Sequence, residues 1–206
     1  MSASPALQRE LRIAARAFGR HGLAHAYGHC SVRLDERRFL VCAARPMGLI
    51  APGEPGVVAP VDGPLPEGVL AEVRLHQDLP PATADAGRRP HHAACIDGAR
   101  HSAPRASASP MAWARTSGPG PLLWDDPQLV RDDQRAAAVI DALGDRNAVV
   151  MRGNGVVVAA DSLAEVLTLT WYLEDAARLE LTVAADALCT MCIGVGQGIA
   201  LIVERV

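Results

Sequence analysis

Lysine is absent from this 206-residue sequence: all 20 basic residues are arginine, set against 23 Asp and Glu, for a formal net charge of −3. A chain so balanced creates no field that would gather nucleic acid or anionic lipid. Aromatic residues make up 3% of it, which leaves few platforms for stacking single-stranded nucleic acid. No stretch reaches about 18 uninterrupted apolar residues, the length a membrane-spanning helix needs. The start, Met1-Ser-Ala-Ser-Pro5, lacks the basic region and apolar run of a secretion signal. The expectation is a cytoplasmic protein with no membrane and no nucleic-acid partner. The five cysteines, at positions 30, 42, 95, 189 and 192, are an odd number, which fits reduced thiols better than a disulfide framework. Only Cys189 and Cys192 have C-x-x-C spacing, and no second pair stands near them to complete a zinc knuckle.

What the chain does have is small apolar residues. Half of it is hydrophobic, chiefly Ala, Val and Leu, which suits helices and buried strands. Its length predicts one principal domain burying about 70% of its unfolded surface. Arg, Ala, Gly and Pro share GC-rich codons, and in such a gene a wrong reading frame tends to stay open and to spell Ala, Arg, Pro, Ser and His.

Ser4-Pro5 is a helix cap followed by proline at the first helical position, and Leu7, Leu11, Ala14, Ala15 and Phe18 recur at helical spacing, predicting a helix to about His21. Residues 28–34 and 39–43 read as a hairpin turned by Asp35-Glu36-Arg37-Arg38. Leu65-Pro66-Glu67 opens a predicted second helix to about Gln77, and Asp126-Pro127 a third to about Leu143. The strand-like runs 147–152 and 156–160 flank Gly153-Asn154-Gly155, where Asn-Gly suits a tight turn. Ser162 and Glu165 form a capping box ahead of a long helix to about Ala185. This order predicts α/β layers around a largely antiparallel sheet.

Residues 78–117 differ from the rest. They contain no Val, Phe or Tyr, and such a composition is expected not to bury enough surface to offset the entropy of ordering. Two explanations stand side by side: an ordinary disordered insertion, or a frame-shifted passage. One base later, permitted codons for Asp78-Leu79-Pro80 read Ile-Tyr-Arg, and those for residues 87–92 allow Val-x-Val-His-Thr.

Three stretches resemble the class II aldolase/adducin family. Gly28-His29-Cys30-Ser31-Val32-Arg33 is similar to the family's G-[NH]-x-S-x-R turn, whose backbone N–H groups and Ser hydroxyl hold a phosphate or carboxylate. That resemblance makes Gly28, His29 and Ser31 the expected anion cradle. His29, where many aldolases have Asn, resembles the decarboxylase-like members. Pro66-Glu67-Gly68-Val69-Leu70-Ala71-Glu72-Val73-Arg74-Leu75-His76 resembles the helix whose Glu is the family's acid/base, which implies that role for Glu72; Arg74 and His76 are either its polar neighbours or simply exposed. Val149 to Val158 resembles the R-x-H-G hairpin, in which the His binds metal; Asn154 stands at that position and is explained by turn chemistry.

The resemblance implies a three-layer α/β/α domain over residues 1–185 and a homo-oligomer. It also implies a divalent zinc, manganese or iron ion and C–C cleavage of a small hydroxylated acid by retro-aldol reaction or decarboxylation. The family's H-x-H ligand pair falls near His91-His92, and adjacent residues of a strand point to opposite faces, so no ligand set can be named. A non-catalytic assembly module, as adducin heads are, is the alternative. A separate resemblance covers the tail, 186–206: Ala187 to Ala200 is similar to the thiolase C-terminal signature, with Cys192 at the position of its proton-exchanging Cys, which implies a remnant acyl-CoA-binding segment.

Overall fold

The computed structural model describes residues 3–79, 92–97, 120–185, 187–192 and 198–203. Helix α1 (Pro5–Arg20) begins as its sequence dictates: the Ser4 hydroxyl accepts from the Leu7 N–H, and proline occupies the first helical position. Its apolar stripe, Leu11, Ala14, Ala15 and Phe18, is buried. Strands β1 (His29–Asp35) and β2 (Arg38–Val41) form the expected hairpin, and β3 (Val57–Pro60) adds to β2.

The expected second α-helix is instead an irregular passage with a turn at 67–68, closed by a short 3-10 turn, Ala71–His76, that has no side-chain cap at its start. Gly68 sits at φ +86, a left-handed conformation that breaks helical continuity. The third helix also starts later than expected. Asp126 accepts from the Gln128 N–H in a local turn, and Asp132, accepting from the Arg135 N–H, caps α2 (Asp133–Leu143). Strands β5 (Leu122–Trp124), β6 (Ala148–Met151) and β7 (Gly155–Ala160) surround it in sequence. Helix α3 (Leu163–Ala185) follows, its Glu165 N–H donating to the Ser162 hydroxyl while the Glu165 carboxylate accepts from the Asp161 N–H.

One part of the anomalous passage contradicts the expectation drawn from its composition. His92–Asp97 is a strand, β4, paired antiparallel with β1 on one side and β7 on the other, at the centre of the sheet. Residues poor in β-formers take up this conformation because two flanking strands supply hydrogen-bond partners for both edges of the backbone, a tertiary contribution that outweighs local propensity. Residues 80–91 and 98–119, His91 among them, lie outside the described residues.

The sheet order is β3-β2-β1-β4-β7-β6-β5, antiparallel throughout except for the parallel pair β5–β6. Alternation on β6 and β7 divides the core. Ala148, Val150, Val156 and Val158 pack with α1 and α3 on one face; Val149, Met151, Val157 and Ala159 pack with α2 and Leu75 on the other. The protein is therefore the expected three-layer α/β/α fold with a largely antiparallel sheet. Each fully buried Leu, Val or Phe in these layers contributes roughly 1.5–3 kcal/mol by leaving water. Residues Ala187–Cys192 and Gly198–Val203 form a separate antiparallel hairpin, β8–β9. Among the described residues no helix is long and apolar enough to cross a membrane.

Candidate active site

Strand β1 places three polar side chains in the interior. His29, Ser31 and Arg33 alternate with Cys30 and Val32; the apolar pair joins the core against α1 and α3, so the polar three face the 3-10 turn. His29 and Ser31 are 2% and 3% exposed, a level of burial that demands partners. His76 supplies them. It is buried at the end of the 3-10 turn, with its Nε2 2.6 Å from His29 Nδ1 and its Nδ1 2.7 Å from the Ser31 hydroxyl. The Phe39 ring stacks against the same imidazole with 6.0 Å between centroids. The sequence left His76 open between partner and exposed residue; packing makes it the link between the two ends of the site. Arg74, by contrast, turns outward to an ion pair with Asp133.

Burial pushes the His29 pKa down from 6.5 to about 4. His76 falls well below 6.5, first by burial and then by the proximity of His29 and Arg33. Both rings are thus neutral near pH 7. Two buried donor or acceptor atoms remain without a partner among the described residues here: His29 Nε2, and one terminal nitrogen of Arg33, whose other terminal nitrogen donates to the Leu79 carbonyl at 2.6 Å.

His29, Glu72 and Asn154 line one shallow open cleft, and its remaining wall is the apolar surface of Leu75, Leu129, Val130 and Met151. Three sequence-predicted residues separated by most of the chain are therefore neighbours. Gly28 is buried immediately before β1, and Ser31 stands behind His29 with its hydroxyl engaged by His76. The Glu72 side chain is 21% exposed, with Oε1 3.9 Å from Arg131 Nε. Asn154 is more than a turn residue: it is buried, and its Nδ2 donates to the Gln128 carbonyl at 2.9 Å, tying the β6–β7 turn to the segment that carries Leu129 and Val130. Sequence reasoning missed Leu75, Leu129, Val130 and Met151 as cleft residues. Nothing but their apolar character marks them, and ordinary core residues share that.

Scanned against family models, residues 9–181 match the class II aldolase and adducin N-terminal domain. The chain belongs to this family. Aldolase/adducin membership agrees with the resemblance of the three motifs. Two curated relatives are 3,4-dihydroxyphthalate decarboxylases. The Terrabacter sp. (strain DBF63) protein is 28% identical over 202 residues, covering 90% of this chain and 84% of that protein. The Arthrobacter keyseri protein is 29% identical over 195 residues, covering 85% and 77%. Among solved structures, YgbL from Escherichia coli, described as a putative aldolase/epimerase/decarboxylase, superposes with a TM-score of 0.68 at 17% identity, covering 92% of this chain and 95% of that one. Family and relatives together support an aldolase- or decarboxylase-type lyase. The match ends at residue 181, and these comparisons lend no support to the thiolase resemblance of the tail.

Members of this family are typically dependent on a divalent metal. Among the described residues, however, no three His, Cys, Asp or Glu side chains come together in a group able to hold one. Asn154, which the hairpin resemblance sets against a metal-binding His, donates its amide nitrogen to the Gln128 carbonyl. The described donor set does not fit a catalytic ion, which takes three protein ligands.

Proposed function

We propose that this aldolase/adducin-family protein is a decarboxylase of a small hydroxylated aromatic carboxylic acid, with residues 1–185 as the lyase domain. The observation that carries the reading is the meeting in one cleft of a carboxyl group, Glu72, and a buried imidazole, His29, beside an apolar wall. The two curated relatives named above support the choice of substrate class. In this reading Leu75, Val130 and Met151 hold the ring, while Gly28 and His29 form the end that receives a carboxylate and Ser31 stands behind His29. The bond between the ring carbon and its carboxylate breaks, carbon dioxide leaves, and the electron pair stays on the carbon. Glu72 relays to that carbon the proton that replaces the lost group, taking it from solvent.

The direct test is release of carbon dioxide from 3,4-dihydroxyphthalate by the purified full chain. A folded protein without turnover would move it to the assembly-module reading of the family. The tail, residues 186–206 with Cys192, enters only as a separate acyl-CoA-binding segment; a CoA-binding measurement tests it, and no binding removes it. Self-association belongs to the same proposal, and sedimentation equilibrium of the full chain reads it directly.

A further inference from the structure

The chain of contacts behind the cleft has a direction. Ser31 has one side-chain hydrogen bond among the described residues, to His76 Nδ1, and it is buried. If His76 carried its proton on Nδ1, the Ser31 oxygen would accept it and the hydroxyl hydrogen would have no acceptor, a costly state for a buried donor. The favoured arrangement has the Ser31 hydroxyl donating to His76 Nδ1. His76 then bears its proton on Nε2 and donates it to His29 Nδ1, 2.6 Å away. A neutral His29 with Nδ1 accepting must hold its own proton on Nε2, the buried atom that no described group satisfies.

We propose that Ser31 and His76 are positioning residues that fix His29 in its Nε2–H form, so that the cleft presents a neutral N–H donor to a substrate carboxylate. One neighbour of His76 agrees with an anionic occupant. Arg33, two residues beyond Ser31 on the same face of β1, has a buried terminal nitrogen with no partner among the described residues. Its positive charge also bears on His76 and opposes protonation of that ring. The inference deepens the decarboxylase reading and rests on it for the class of ligand.

The test uses the full chain labelled with ¹⁵N-histidine, the tautomers read from long-range ¹H–¹⁵N correlations at pH 7. The probe is phthalate, an unreactive aromatic dicarboxylate. The wild type is expected to show His29 and His76 both protonated on Nε2, with the His29 signal moving as phthalate binds. Ser31→Ala is expected to mix the His29 tautomers and weaken phthalate binding by about tenfold, the scale of one charge-assisted hydrogen bond. His76→Gln, whose amide N–H still donates to His29 Nδ1, is expected to keep the Nε2–H form and most of the affinity. A proton on His29 Nδ1 in the wild type, or unchanged tautomer and affinity in Ser31→Ala, overturns the proposal. A fixed tautomer and bound phthalate with no turnover of 3,4-dihydroxyphthalate upholds it and overturns only the decarboxylase reading.

Discussion

His76 meets His29 across 47 residues of sequence, Nε2 to Nδ1 at 2.6 Å, with both rings buried. This contact joins the 3-10 turn that carries Glu72 to the strand that carries the expected anion-binding residues. It makes the protonation of the two rings a matter of fold stability as well as of chemistry.

Acid should destabilise the protein through this pair. His29 titrates near 4 in the folded chain against 6.5 when unfolded. Between those values the unfolded chain binds more protons, so stability that is complete above pH 6.5 is lost as the pH falls towards 4, on the order of 3 kcal/mol from His29 alone. Urea denaturation of wild type and His29→Asn at pH 7 and pH 5 checks this: the drop between the two pH values should be smaller in the variant, and equal drops would refute the assignment.

Glu72→Gln keeps the shape of the side chain but removes the carboxyl group assigned the proton transfer. Turnover of the decarboxylation substrate should fall by about 10²-fold or more, with little change in the denaturation midpoint because the residue's ion pair with Arg131 is long. Unchanged turnover would remove Glu72 from the proton-transfer role.

Asn154→Ala should loosen one wall of the cleft. The lost hydrogen bond to the Gln128 carbonyl costs about 1 kcal/mol and releases the segment bearing Leu129 and Val130. The expected kinetic signature is a KM raised more than kcat is lowered, measured alongside thermal denaturation.

Gly19→Ala should damage the fold far from the cleft. A Cβ there would lie 2.1 Å from the Gly48 backbone nitrogen, so α1 could not keep its present approach to the turn Met47–Leu49. A loss of roughly 1–3 kcal/mol is expected, the cost typical of overpacking, and calorimetry reads it. A variant as stable as wild type would show that this approach is adjustable.

Amide hydrogen exchange discriminates the strand from its composition. The amides of 92–97 that bond to β1 and β7 should exchange slowly, as those of a central strand do. Exchange as fast as in an unstructured peptide would restore the expectation drawn from composition.

Local chemistry settled the parts of this molecule whose hydrogen bonds close within a few residues. Ser4 and Pro5 start α1, Asp35 turns the β1–β2 hairpin, and Ser162 with Glu165 starts α3; each satisfies backbone groups nearby, so each is written in the sequence. The motif resemblances likewise pointed to Glu72, His29 and Asn154 one at a time. Tertiary structure decided the rest. The stretch 92–97 became a central strand because β1 and β7 offered partners on both edges, while the passage around Gly68 failed to become an α-helix. His76 had no local partner to mark it, and only the packing of the 3-10 turn against β1 made it the bridge between Ser31 and His29. Periodicity reports which face of an element is buried, not which distant side chain it meets there, and the chemistry of this cleft lies in those meetings.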